Sequence, residues 1–231
     1  LLGPGINIKR TPVAGRNFEY FSEDPVLSGI MAEEYVRGVQ EKHVGATVKH
    51  YCANNLEYCR HYASSEVDEA VLREIYLKPF ELAVKAKPYM VMTSYNLVNS
   101  VRMSENADLI KVLRKELGFE GVIVTDWEAC KDAEASIKAG TTMIFPFNED
   151  RQRELEKIIE SHSVPDEIVD EAAQKILELA QKCGRDKPLR KAEKTVAGRM
   201  ETAKCIAEEG VVLLKNNGVL PLGKEQNVLM T

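Results

Sequence analysis

Residues 118–127 read GFEGVIVTDW, and the fold turns on how that string is taken. Val122, Ile123 and Val124 form an apolar, β-branched run between two glycines and a Thr-Asp pair. It is too short for a helix and it does not alternate, which is how a strand covered on both faces reads. Working backward, 104–117 carries a helix start at Ser104, with Asn106 and Asp108 ahead of Leu109, Ile110 and Leu113, and Gly118 closes it. Working forward, 132–139 reads as a short helix and 141–145 as another strand.

The same alternation extends upstream. YMVMTSY (89–95) is a buried strand, and 68–86 is a helix with Val71, Leu72, Ile75, Leu77, Phe80, Leu82 and Val84 at spacings of three and four. Residues 46–51 read as a strand, 28–39 as a helix and 1–9 as a strand with its following loop. Helices at 151–161 and 166–182 come after the last strand. About five short strands linked by helices predict an α/β fold with a parallel sheet and helical crossovers. A complete eight-stranded barrel takes about 250 residues, so a barrel here is a partial one.

After Cys183 the texture changes. GRDKPLRKAEK (184–194) is charged and carries a proline, as linkers do. A helix over 197–209, a strand over 210–214 (GVVLL) and a turn at Lys215-Asn216-Asn217-Gly218 then open a further unit, continued at 219–222 and 228–230. The division is 1–183, a linker at 184–196, and 197–231.

Composition narrows the function. The 231 residues carry 31 Lys+Arg against 36 Asp+Glu, a net charge of −5, with 44% hydrophobic residues; this excludes a disordered chain and argues against a nucleic-acid surface. No run approaches the roughly 20 apolar residues of a membrane span. Cysteines at 52, 59, 130, 183 and 205 are odd in number and lack CxxC spacing, so neither a disulfide framework nor a zinc site is expected. Cys52 and Cys59 read as packing residues. This usage leans toward a reducing compartment, with the cytoplasm favoured. Leu1 is preceded by no initiator Met and no signal peptide, so the chain reads as a segment of something larger.

Parallel α/β folds meet their ligands at the carboxyl ends of the strands. Those positions hold Lys49 and His50, then Ser94, Tyr95 and Asn96, then Asp126 and Trp127. A carboxylate closing an apolar strand is partly desolvated, which suits a nucleophile or acid; the competing reading of Asp126 is a helix N-cap. Trp127 is the only tryptophan, a ring that stacks on sugar faces or else fills a core. Lys49-His50 offers donors for hydroxyls or a carboxylate, or is a surface pair. His43 and His61 read as ordinary residues, and 15–25 (GRNFEYFSEDP) as a solvated loop before a capped helix. Phosphate-loop, dinucleotide, zinc-protease and GxSxG motifs are absent.

Taken together, GRNFEYFSEDP (15–25), VKHYCANNLEYCR (48–60), MTSYN (92–96), GFEGVIVTDW (118–127) and EEGVVLLKNNGVLPL (208–222) resemble glycoside hydrolase family 3, whose best-known members are β-glucosidases and β-xylosidases. The resemblance implies the C-terminal part of a (β/α)8 TIM-like barrel over 1–183, a linker, and the start of an α/β sandwich domain over 197–231. It implies a retaining, exo-acting β-glycosidase with Asp126 as nucleophile. Arg16, Lys49 and His50 would hold sugar hydroxyls, Tyr95 would contact the nucleophile region, and Met92 and Trp127 would line the sugar pocket. Glu57 and Arg60 would support the loop after His50. The loop of the N-acetylglucosaminidase branch is missing, so a β-glucoside, β-xyloside or oligosaccharide substrate is expected, with no metal or organic cofactor. The family's acid/base Glu belongs to the sandwich domain, and the rest of the barrel and sandwich would come from the same or a companion chain. Thr142 stands where many members carry Asp. The rival readings are a carbohydrate-binding or inactive fragment lacking that Glu, and a barrel aldolase using Lys49 as Schiff-base former.

Overall fold

A computed structural model describes residues 1–184, 196–224 and 227–229. The elements in chain order are α1 (Pro25–Gln40), β1 (Thr47–Tyr51), β2 (Ser64–Ser65), α2 (69–84), β3 (Met90–Thr93), β4 (Leu97–Val98), β5 (Val101–Arg102), α3 (107–116), β6 (Val122–Val124), α4 (Ala133–Ala139), α5 (Glu149–Glu160), α6 (Asp166–Lys182) and α7 (Val196–Gly210). Within α2 the stretch Leu72–Leu77 widens to a π-helix, as does Val112–Glu116 within α3.

Three strands form a parallel sheet in the order β1-β3-β6, and single parallel bridges extend it at both edges, Gly5 against Lys49 and Met143 against Val124. These five lanes follow one another in chain order, and Tyr20 makes a further parallel bridge to Gly5. The two outer lanes were expected as full strands. The first is cut short by its own sequence: Pro4 has no N–H to give, and pairing is confined to a few bonds such as Ile6 N to Lys49 O at 2.7 Å and Lys49 N to Pro4 O at 3.0 Å. A second sheet, β2-β4-β5, was not foreseen, because two-residue strands carry no periodicity.

The main core lies between this sheet and α1, α2 and α3, with Ile6, Val36, Val48, Phe80, Val91, Leu113 and Ile123 in one cluster. Helix α1 starts at Pro25 because Asp24 caps it, accepting from Val26 N at 2.7 Å and Leu27 N at 3.2 Å. It then packs on α2 at Gly29, where a Cβ would stand 2.6 Å from Leu82 Cδ1. Helix α3 is capped by Asn106, not Ser104; Asn106 Oδ1 accepts from Leu109 N at 3.0 Å, while Ser104 is buried and receives a hydrogen bond from Ser136 Oγ. A smaller cluster of Cys130, Ala133, Ile144, Ile158 and Val164 covers the far edge. Cys52 packs as expected, whereas Cys59 is exposed.

The chain divides into two compact units, Leu1–Asp186 and Lys187–Thr231. Most of the linker expected at 184–196 lies outside the described residues, as do Met230 and Thr231. In the second unit α7 is formed, but the strand expected at 210–214 is not: Val211–Leu214 are irregular, exposed and without a strand partner among the described residues. The turn after it is formed, with Asn216 Oδ1 accepting from Gly218 N at 3.0 Å and Leu220 N at 3.1 Å. No described helix is long and apolar enough to cross a membrane.

Candidate active site

Polar residues stand at or just after the carboxyl end of each central strand, and the parallel register sets these ends side by side. Lys49 pairs with Met92, and Met92 with Val124, so the residues following Val124 open onto the same rim as Lys49. The register slips between Lys49 and Tyr51, leaving His50 as an unpaired residue at a bulge; its flanking peptide Lys49–His50 is cis.

Asp126 is buried at the end of β6 and caps no helix. The following helix, α4, is capped by Asp132, whose Oδ1 accepts from Ala135 N at 2.9 Å. Asp126 Oδ1 instead accepts from Trp127 N at 2.7 Å, while Oδ2 is buried without a hydrogen-bond partner and faces His50 Nε2 at 3.4 Å. Burial pushes this carboxyl above the ordinary aspartate range; the Trp127 N–H, the Tyr95 hydroxyl and the charges of Arg16 and Lys49 offset part of that rise. Tyr95 is pushed up to about 12, by burial and then by the charge on Asp126.

Cations surround the carboxylate. Lys49 Nζ lies 3.4 Å from Glu19 Oε2, and Arg16 Nε donates to Glu19 Oε1 at 2.5 Å. Burial works to raise Glu19, but the Arg16 hydrogen bond and the two positive charges outweigh it and hold Glu19 below its usual range. His50, 1% exposed, is kept neutral by burial and by the positive charges of Arg16, Lys49 and Arg60. Arg60 donates to Glu57 Oε2 at 2.8 Å and stacks its guanidinium 3.9 Å over the Tyr95 ring. Asn54 Nδ2 donates to Glu57 Oε1 at 3.1 Å, which ties the loop after β1 together. Trp127 is 56% exposed and leans on Phe145 at 6.0 Å, so it does not fill the core. Met92 is buried beneath the rim.

All nine residues to which the family resemblance gives a role thus belong to this rim or the loop beside it, and the structure adds five more. Glu19 and Tyr20 enter from the loop before α1. Asn7 enters from the first lane, Asn54 from the loop after β1, and His61 stacks edge-on against Tyr95 at 4.7 Å. Asn7 was within reach of sequence reasoning: it is the polar residue ending the Gly5-Ile6 run, the same signal that selects Lys49 and Asp126. Glu19 ends a short 3-10 turn (Asn17–Glu19), Tyr20 follows it and His61 lies in a turn, so none of them ends an apolar run and none carries such a signal. Among the described residues there is no group of three or more His, Cys, Asp or Glu side chains placed to hold a metal ion.

A carboxylate with one oxygen tied to a backbone N–H and the other bare, amid cations and exposed aromatic surface, suits attack on, or stabilisation of, a developing positive centre in a polar ligand. Comparison with known proteins narrows this. Residues 1–179 match the model of the glycosyl hydrolase family 3 N-terminal domain. The chain belongs to glycosyl hydrolase family 3. Its relatives in that family include beta-glucosidase B of Emericella nidulans, 42% identical over 97% of this chain and 28% of the relative. Another is the thermostable beta-glucosidase B of Acetivibrio thermocellus, 40% identical over the whole chain and 31% of the relative. Among solved family structures, the Bifidobacterium adolescentis GH3 beta-glucosidase superposes with a TM-score of 0.90 at 40% identity. The Thermotoga neapolitana beta-glucosidase 3B in complex with alpha-D-glucose gives the same two values. Each match covers 96% of this chain and 33% of the solved one. The chain therefore spans about a third of the length of these family 3 proteins.

Proposed function

We propose that this chain is the nucleophile-bearing part of a retaining, exo-acting β-glucosidase. The observation that carries the reading is Asp126 Oδ2, a buried carboxylate oxygen with no hydrogen-bond partner, at the meeting point of three strand ends. In this mechanism Oδ2 bonds to the anomeric carbon of a terminal β-linked glucosyl unit as the bond to the departing oxygen breaks. A Glu supplied from beyond this chain protonates that oxygen and then takes a proton from the water that releases the sugar. Glu19 and Glu57 do not suit the acid role, being engaged by Arg16, Lys49 and Arg60. Lys49, Arg16 and His50 hold sugar hydroxyls, and Trp127 offers an open aromatic face.

The fold supports the same reading. Five parallel lanes in chain order favour the winding of a (β/α) barrel over that of a doubly wound sheet. We take 1–183 as part of such a barrel, completed by segments of the same or a companion chain, and 197–231 as the opening of a sandwich domain. The relatives named beta-glucosidase support glucose over other sugars. The test is incubation of the full-length protein with a 2-deoxy-2-fluoro-β-glucosyl fluoride, followed by peptide mass spectrometry. A sugar adduct on Asp126 is expected, and an active protein carrying its adduct elsewhere overturns the assignment. Asp126→Asn should abolish turnover without lowering the melting temperature at pH 7, since folding raises this carboxyl's pKa and so disfavours its ionised form.

A further inference from the structure

We propose that Asn7 is a positioning residue of this rim: it holds His50 as the Nδ1–H tautomer and so presents Nε2, without a proton, to Asp126 and the bound sugar. The backbone of His50 fixes the orientation of the Asn7 amide. Its N–H donates to Asn7 Oδ1 at 2.9 Å, and its carbonyl accepts from Asn7 Nδ2 at 2.9 Å. A backbone N–H only donates and a carbonyl only accepts, so the two ends of the Asn7 amide are assigned without ambiguity. The oxygen end also lies 3.1 Å from His50 Nδ1. An amide oxygen cannot donate, so the proton between them belongs to Nδ1. Tyr20 hydroxyl, 3.2 Å from the same nitrogen, can accept as well as donate and does not oppose this.

A neutral imidazole has one proton, and Asn7 places it on the side away from the carboxylate. Nε2 and Asp126 Oδ2 then face each other as two lone-pair atoms. Their 3.4 Å separation exceeds an N–H···O hydrogen bond, and Oδ2 is left without a partner. Burial and the neighbouring cations support a ring that stays neutral. Two consequences follow. The carboxylate oxygen facing the ring is not quenched by a hydrogen bond from it, and Nε2 accepts a hydrogen bond from a sugar hydroxyl where Lys49 and Arg16 donate. The second consequence rests on the glycosidase reading; the tautomer does not. Asn7, His50 and Tyr20 are all at most 5% exposed, so water does not compete for these positions.

The experiment is a long-range proton–nitrogen correlation on the substrate-free full-length protein labelled with 15N-histidine, with His50 assigned by the signal lost in His50→Gln. Nδ1 should show the shift of a protonated nitrogen and Nε2 that of a bare one. In Asn7→Leu the pattern should reverse, with Tyr20 donating to Nδ1; in Asn7→Asp, which keeps an acceptor oxygen, it should persist. Nε2–H in the parent protein, or Nδ1–H surviving in Asn7→Leu, overturns the proposal, and the parent spectrum decides even where Asn7→Leu fails to fold. In kinetics Asn7→Leu should lose about 100-fold in kcat/KM, carried by kcat, as a misplaced contact does; a loss carried by KM alone overturns the positioning role. Should the parent protein turn over no β-glucoside, the glycosidase reading fails while the spectrum still tests the tautomer.

Discussion

Thr142→Asp should stabilise this protein, a rare direction for a single change. The reason is Arg114. Its guanidinium donates through Nη1 to the carbonyls of Phe119 at 3.1 Å and Gly121 at 2.5 Å, and through Nη2 to Thr142 Oγ1 at 3.3 Å. None of these partners is charged. Burial lowers Arg114 to about 10, and Glu171 offsets only part of that. The drop from 12.5 corresponds to about 3 kcal/mol of unrewarded charge burial at roughly 1.4 kcal/mol per unit. A carboxylate at 142 would accept from Arg114 and also from Ile123 N, which now donates to Thr142 Oγ1 at 3.2 Å. Thr142 and Arg114 both line a cavity of about 250 Å³, so there is room for the larger group. Recovering half the penalty gives about 1–2 kcal/mol, or a rise of about 2–6 °C for a domain of this size. Differential scanning fluorimetry of the full-length protein at pH 7 checks it, with Thr142→Asn as the uncharged control. A fall in melting temperature with Asp, or an equal gain with Asn, refutes the reasoning.

Other changes probe the site and the sheet. Tyr95→Phe keeps the ring under Arg60 but removes the hydroxyl that helps hold Asp126 down, so the acid limb of the kcat/KM–pH profile should move to higher pH; an unmoved limb refutes that role. Gly121→Ala would set a Cβ 2.3 Å from Tyr89 O, the carbonyl that accepts from Val122 N where β3 meets β6. About 3 kcal/mol should be lost, read as a lower urea midpoint, and an unchanged midpoint would mean that the strand start shifts freely.

How much of this was legible in the sequence depends on where each residue gets its signal. The central strands β3 and β6 declare themselves because burial on both faces demands unbroken apolar runs, β1 does so only through Ala46–Val48, and the polar residues following each run mark the rim. Asp126, Lys49, His50 and Tyr95 were found on that basis, with the likeness to family 3 supplying their roles. The edge lanes were legible only as positions: one contains Pro4, the other a single bridge at Met143, and their character is set by hydrogen bonds to neighbours rather than by side-chain pattern. The strand expected at 210–214 shows the same dependence from the other side. GVVLL has the composition of a buried strand, yet no partner for it exists among the described residues, and an apolar run becomes a strand only when another backbone takes its N–H and C=O groups.

The site's electrostatics were the least legible, because they arise from pairs far apart in the chain. Asn7 and His50 are 43 residues apart, and Glu19 and Lys49 are 30. No spacing rule connects them; the parallel register does, by bringing the ends of successive lanes together. Burial at those ends then forces each polar group to find a partner. Glu19 finds Arg16 and Lys49, Glu57 finds Arg60 and Asn54, and His50 finds Asn7. Asp126 Oδ2 is buried without a partner, as are Asn54 Oδ1, His61 Nδ1 and Asn96 Oδ1 nearby, but of these four it alone is a carboxylate oxygen. An unsatisfied carboxylate oxygen costs stability wherever it stands. That this one sits where three strand ends converge is the physical reason to read it as the reactive atom rather than as a flaw in packing.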